Sequence, residues 1–375
     1  MNERSKNRVR TILITSVGSL VGHNILESLA VRRQEWRIVG VNSQPLAANN
    51  FRCDVAYLAP ETAQEDTFLS RLREILRIEK PAVALAGRDL DLSPLACLKA
   101  EPEFTQTLFL SPAAASVPVV NDKYMTWLFA HRHGLPFAAT AFDRDELDAL
   151  ISRKGFPLIC KSRFGNASRG VFILRSAAEV DAALAEASFV FQEFLNPPRD
   201  LQAILPDFRF GVPLFHNIVE DDHYSAQGLV GAEGELLAFF ATLHIMEGGK
   251  SISVQPLNES ALERITADYA RALSPLGYIG PLNFNCKKIG PNHFMPYELN
   301  GRFTGASAAR ALLGHPEVEY ALDYFLDGCR PKPRRQSRSD GGALRRIVQR
   351  QASMHLVDLD AATRLTAAGV WRRES

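Results

Sequence analysis

Through its first third the chain alternates short apolar runs with longer amphipathic stretches. TILITSVG (11–18), RIVGVN (37–42) and PAVALAG (81–87) are apolar runs of strand length. Between them, residues 22–33 and TFLSRLREILRIEK (67–80) carry apolar residues at helical spacing. Strand and helix in alternation predict an open, mostly parallel sheet over residues 9–120.

The rhythm changes after residue 120. Asn121 or Asp122 can cap a helix, YMTWLFAHRHG, that closes on Gly134. A strand near 137–142, a helix at 143–155 and a strand at 157–161 lead into a Gly-rich turn. A returning strand at 171–175, an Ala-rich helix at 177–187 and a buried strand, FVFQEF (189–194), follow. Residues 200–260 are strand-like, with turn signals at 211–213, 231–235 and 247–251, which fits an antiparallel meander. A helix at 261–276 precedes a strand pair at 281–288 and 293–299, and 307–327 reads as mainly helical. The basic stretch 330–350, from Arg330 to Arg350, reads as a solvated linker.

Composition narrows the classes. The 375 residues are 46% hydrophobic and 23% charged, with a net charge of +1, so two or three folded lobes are expected. That balance supplies no global field toward nucleic acid or a membrane surface, and no run of 18 apolar residues provides a span. Cys53, Cys97, Cys160, Cys286 and Cys329 are scattered, with no C-x-x-C pair, as expected of reduced thiols in a cytoplasmic protein. The turn Gly18-Ser19-Leu20-Val21-Gly22 is not G-x-G-x-x-G, and Asn42 stands where a ribose-binding acid would end the second strand, so dinucleotide binding is not expected. Gly249-Lys250-Ser251 resembles the end of a P-loop, but His244 occupies the position of its first glycine.

Three segments carry candidate chemistry. In PLICKSRFGNASRGV (157–171), a strand delivers Lys161 to a loop whose Gly165, Asn166, Ala167, Ser168 and Gly170 can turn backbone N–H groups toward phosphate oxygens. A hairpin with a flexible tip asks for the same residues. In FVFQEFLNPPRD (189–200), Gln192, Glu193, Phe194 and Leu195 end an apolar strand where backbone groups can read adenine, and Asp200 can accept from ribose hydroxyls. In GPLNFNCKKIGPNHFMPYELNGRFTGAS (280–307), Asn283 and Asn285 share one strand face, and Glu298 and Asn300 share a face of the next, with Tyr297 and Leu299 turned away. Asn285, Glu298 and Asn300 then aim hard oxygens at one point, as Mg²⁺ requires, and Arg302 follows on the same side to meet a phosphate.

This order of motifs resembles the ATP-grasp superfamily, and most of all its carbamoyl-phosphate synthetase large-subunit and biotin-carboxylase-like branches. The resemblance covers about 9–330. It implies an α/β chain: a Rossmann-like parallel-sheet domain (1–120), then a two-lobed α+β ATP-grasp domain (121–195 and 196–330), then a basic linker and C-terminal segment (331–375). It also implies that Lys123 and Lys161 touch ATP phosphates. Residues 165–170 form the flexible loop, Glu193 and Leu195 the adenine hinge, and Asp200 the ribose acid. Asn285, Glu298 and Asn300 hold Mg²⁺, with Mn²⁺ as its substitute. Asn285 replaces a family Gln and Gly301 a common Pro.

The implied activity is an ADP-forming carboxylate–amine ligase that works through an acyl phosphate, with Lys161 and Arg302 offsetting charge on the transferring group. A kinase-like or carboxyphosphate-forming enzyme and a non-catalytic ATP-binding protein are the alternatives. The implied partners are a small carboxylate and an amine, and a homodimer is the assembly the resemblance allows. His216, His244, Glu247 and Lys250 are unranked candidates for the acceptor side.

Overall fold

The computed structural model describes residues 9–164, 170–184, 188–197, 220–332, 346–350, 355 and 357–373. Five strands open the chain: β1 (Arg10–Ile14), β2 (Trp36–Asn42), β3 (Val55–Leu58), β4 (Val83–Leu85) and β5 (Leu108–Phe109). Helices α1 (Leu20–Leu29), α2 (Glu65–Glu79) and α3 (Leu92–Lys99) connect them. The pairings β1–β2, β2–β3, β1–β4 and β4–β5 are all parallel. Both faces are covered, which is why the buried stretches of these strands, such as Ile12–Ile14 and Ile38–Val41, are apolar. Ile12 and Ile14 pack toward Ile25 and Leu29 of α1, while Leu13 and Val39 pack toward Leu72 and Ile75 of α2. The sequence pattern does not reveal β3, β5 or α3, whose apolar runs are too short to stand out.

Two helices, α4 (Val117–Asn121) and α5 (Lys123–Arg132), lead into a four-stranded antiparallel sheet. Of the two candidate caps, Asp122 is the one used: its side chain accepts from the N–H groups of Tyr124 and Met125. The sheet holds β6 (Thr140–Ala141), β7 (Leu158–Ser162), β8 (Val171–Leu174) and β9 (Phe189–Glu193) in the order β6-β9-β7-β8. Helices α6 (Arg144–Lys154) and α7 (Ala177–Leu184) cover one face through Leu147, Leu150 and Val180.

The third sheet begins with β10 (Glu220–Val230), β11 (Leu236–Glu247) and β12 (Lys250–Leu257). After α8 (Ser260–Leu273) it continues with β13 (Gly280–Gly290) and β14 (His293–Asn300). Leu262, Tyr269 and Leu273 of α8 are fully buried, and they share a core with Leu282, Phe284 and Cys286 of β13. Truncating one such residue to Ala costs about 2–5 kcal/mol, so this helix braces the sheet from behind. Helices α9 (Ser307–Leu312) and α10 (Glu317–Asp327) follow.

The C-terminal segment is built into the fold. Strand β15 (Val348–Gln349) pairs with β12, and beyond α11 (Leu359–Ala368) strand β16 (Val370–Arg372) pairs with β3. The end of the basic stretch read as a linker is therefore a sheet edge. The full orders are β16-β3-β2-β1-β4-β5 and β14-β13-β10-β11-β12-β15. None of the five cysteines is in a disulfide.

Candidate active site

Residues on one face of the third sheet form a polar grid. Register sets Glu298 opposite Asn285, Asn285 opposite Ser225, and Ser225 opposite Thr242 across β14, β13, β10 and β11. A second rung holds Asn300, Asn283 and Gln227. A third, on the other side of the first, sets His223 opposite His244. The intervening residues Phe284, Cys286, Ala226 and Leu299 point the other way into the core. The β13–β14 half of this grid is legible in the sequence. The β10–β11 half escapes the motif reading, although His223, Ser225 and Gln227 alternate with Tyr224, Ala226 and Gly228 at the same period of two.

Above this floor lies a cleft of about 2310 Å³, well beyond the volume of an ordinary single-ligand pocket. Glu298 is its anionic centre. Lys123 Nζ stands 3.6 Å from Glu298 Oε1, and Asn285 Nδ2 donates to Oε2 at 2.7 Å. Burial pushes the Glu298 carboxyl up. Lys123 first, then Lys161, Asn285 and Arg302, outweigh that effect and hold it below the usual carboxylate range. It is therefore charged at neutral pH. One carboxylate beside two amide side chains fits Mg²⁺, which keeps water and phosphate in most of its positions. Among the described residues no group of three His, Cys, Asp or Glu forms a closed metal site.

Tyr297 corrects the expectation that it turns away. A bulge between Asn285 and Cys286 breaks the register, so Asn285 faces Glu298 while Cys286 faces Pro296. The extra residue, Tyr297, lines the cleft, and its hydroxyl lies 2.7 Å from His223 Nδ1. Bulges re-aim side chains in this way. The Tyr297 carbonyl accepts from Lys161 Nζ at 2.9 Å, and Gln192 Oε1 accepts from it at 2.7 Å. Gln192 Nε2 donates in turn to Thr140 Oγ1 at 2.9 Å, so the lysine is fixed by a buried network. Burial first lowers the Lys161 ammonium; Glu298 opposes this and Lys123 adds to it, leaving the pKa at about 7.

Arg302 also lines the cleft and is tied across to the parallel sheet. Its Nη2 donates to Asp89 Oδ2 at 2.6 Å and to Asn300 Oδ1 at 3.3 Å. Asp89 lies just past β4. The strand order reverses between β1 and β4, and the crevice at such a switch point is where open α/β sheets take ligands. Ser16, Gly87, Arg88 and Asp89 bring that crevice into the same cleft. Beneath it, Asp91 is buried and accepts from Thr15, Ser16 and Thr62 hydroxyls. Gly301, found where the resemblance leads one to expect Pro, sits where a Cβ would meet Val120 Cγ2 at 2.7 Å, so the close approach itself calls for glycine.

The strand end proposed to read adenine also faces the cleft, with Gln192, Glu193, Phe194 and Leu195 along it. The Glu193 carboxylate is already engaged, since it accepts from the Ala139 N–H at 2.8 Å and pairs with Lys154. That leaves recognition of a base to backbone groups. Gly170 lines the cleft. Gly165, Asn166, Ala167, Ser168 and Asp200 lie outside the described residues, as does His216. At the foot of that loop, Arg163 grips the Asp122 carboxylate with two nitrogens and lies over the Phe142 ring at 4.4 Å. This anchor is invisible in the sequence because its two partners are far apart along the chain.

Of the acceptor-side candidates, His244 and Lys250 line the cleft, whereas Glu247 does not and faces Lys250 at the hairpin end. His244 is buried, with Thr242 Oγ1 and Ser251 Oγ each 2.7 Å from a ring nitrogen. Burial, then His223, Arg310 and Arg350, hold its pKa well below the usual histidine value, so it is a neutral hydrogen-bonding wall.

No family model matches the chain, and no curated protein matches it. Solved structures do. N5-carboxyaminoimidazole ribonucleotide synthetase from Thermus thermophilus is 18% identical, with 86% of this chain and 79% of that one covered at a TM-score of 0.62. N5-carboxyaminoimidazole synthetase from Staphylococcus aureus complexed with ADP is 12% identical, over 81% and 73%, at 0.60. The biotin carboxylase domain dimer of Hydrogenobacter thermophilus 2-oxoglutarate carboxylase, in complex with MgADP, ADP and bicarbonate, is 13% identical, over 87% and 71%, at 0.63. The likeness is one of fold: this chain has the ATP-grasp fold, with a Rossmann-like sheet ahead of two α+β lobes. No helix among the described residues is long and apolar enough to cross a membrane.

Proposed function

We propose that the chain is an ATP- and Mg²⁺-dependent carboxylate–amine ligase. The observation that carries this reading is the convergence of Lys123, Lys161, Glu298 and Arg302 on one cleft between the lobes of an ATP-grasp fold. Three cations around one carboxylate suit a polyphosphate bound through a metal. Two similar folds were solved with ADP, one of them also with magnesium and bicarbonate, which supports the same cofactor here.

In this reading ATP lies with its base against residues 192–195 and its phosphates over the β13–β14 half of the grid. Glu298 and Asn300, with Asn285 beside them, hold Mg²⁺, which supplies charge neutralisation at the β- and γ-phosphates when bound. Lys161 and Lys123 contact phosphate oxygens. Arg302, which lines the cleft, offsets charge on the γ-phosphoryl group as that group leaves. The substrate carboxylate attacks phosphorus and releases ADP; an amine then displaces phosphate from the acyl phosphate and gives an amide. The residues bind and orient throughout, and no protein nucleophile takes part.

The test is ADP release with Mg-ATP across a panel of carboxylates, each with and without ammonia or an amino acid. A pair that gives one amide per ADP supports the ligase, and ¹⁸O from the carboxylate should appear in phosphate. ADP release with no amide formed would instead favour a phosphotransferase on the same fold.

A further inference from the structure

Arg310 is the largest fully buried side chain among the described residues, and no sequence motif singles it out. It reaches from α9 to the floor of the cleft. Its Nη1 donates to Thr304 Oγ1 at 2.8 Å and its Nη2 to Ser225 Oγ at 2.9 Å. Each hydroxyl oxygen receives a second donor: Asn283 Nδ2 reaches Ser225 Oγ at 2.9 Å, and the Ala306 N–H reaches Thr304 Oγ1 at 3.2 Å. A hydroxyl has two acceptor sites and one proton. With both acceptor sites filled by N–H groups, Ser225 and Thr304 have only their protons left to offer. Neither proton has an acceptor among the described residues, and both side chains line the cleft.

We infer that Ser225 and Thr304, backed by Arg310, form a binding site for the carboxylate group of the small-molecule substrate. The inference rests on the ligase reading for the fate of that carboxylate, but its geometry stands without it. One guanidinium holds both hydroxyls, so they sit side by side, as the two oxygens of a carboxylate do. Donation from a cation polarises each hydroxyl and strengthens it as a donor in turn. The charge favours a monoanion. Arg310 is paired with Glu317 at 3.4 Å, and Glu317 accepts from the Ser307 hydroxyl, so the set is close to neutral and presents its positive end to the cleft. A phosphate dianion would call for cations facing it directly. The placement also fits, because Ser225 shares a rung with Asn285 and Glu298, and Thr304 lies two residues beyond Arg302.

Arg310 acts here as a positioning residue and the hydroxyls as the binding groups. The probes are acetate, glycine, L-glutamate and succinate, with inorganic phosphate as the dianion control, titrated against thermal unfolding in the absence of nucleotide. Any stabilisation by phosphate, which Lys123, Lys161 and Arg302 can hold, should not depend on either hydroxyl, and at least one carboxylate should stabilise the wild type. Ser225→Ala and Thr304→Val should each weaken that response about tenfold, the loss expected for one hydrogen bond to a charged group. Thr304→Ser, which keeps the hydroxyl, should retain it, and stabilisation by Mg-ADP should be unchanged in all three. A carboxylate response indifferent to both hydroxyls would overturn the inference, as would an equal loss of the phosphate response in the two variants or no response to any carboxylate. Loss of the Mg-ADP response alone would count against the nucleotide reading and leave the carboxylate site standing.

Discussion

Asp89 and Arg302 hold each other across the junction between the parallel sheet and the antiparallel grid, with 2.6 Å between Arg302 Nη2 and Asp89 Oδ2. Both side chains are almost buried, at 11% and 12% exposure, so the pair is screened little by solvent. The guanidinium that is to clamp a phosphate is thereby held in place before any ligand arrives. Asp89→Ala leaves a nearly buried arginine without its carboxylate and should destabilise the fold by about 3 kcal/mol. Urea unfolding of the two proteins measures this, and an unchanged midpoint would contradict a structural part for the pair.

Nucleotide binding should take up a proton near neutral pH. The Lys161 ammonium is lowered to about 7 in the free protein, chiefly by burial. Phosphate oxygens beside it favour the charged form and restore the proton. Titration calorimetry of Mg-ATP at pH 8 in buffers of different ionisation enthalpy should show net uptake, and affinity should fall as pH rises above about 7.

The same shift sets a stability trend. Lys161 has a lower pKa folded than unfolded, so the unfolded chain binds more protons between about 7 and the ordinary lysine value of 10.5. The contribution of this group to stability therefore rises with pH across that window, and it is lost as pH falls through about 7. Chemical unfolding at pH 7 and pH 9 on wild type and Lys161→Met isolates it: the variant should lack this component of the pH dependence.

Gln192 should govern that behaviour. Its Oε1 accepts from Lys161 Nζ at 2.7 Å, so Gln192→Glu places a full negative charge beside the ammonium. Lys161 then stays protonated above pH 7, and proton uptake on binding Mg-ATP should diminish at pH 8. Uptake equal to that of the wild type would show that Lys161 is not the group responsible.

Legibility in the sequence follows local pattern. The β13–β14 pair is readable because period-two alternation of Asn, Glu and apolar residues is a local signal, and register then fixes which side chains meet. Asp89, Arg163 and Arg310 are not, because each gains its role from a partner on another element: Asp89 from Arg302, Arg163 from Asp122, and Arg310 from Ser225. Tyr297 defeats the pattern because strict alternation holds only where the ladder is regular, and one bulge reverses every side chain's direction from that point. Short elements such as β5, two residues long, exist through pairing to β4 rather than through any propensity of their own.

The most direct test of a Mg-nucleotide site at Glu298 is a thermal-shift titration with ATP, with and without Mg²⁺, on wild type and Glu298→Gln. At a hundred times the dissociation constant, Mg-ATP should stabilise the wild type by about 2.7 kcal/mol, a rise of about 3–5 °C. The Mg²⁺-dependent part of that rise should vanish in Glu298→Gln. An equal Mg²⁺-dependent rise in both proteins, or none in either at millimolar nucleotide, would contradict the site.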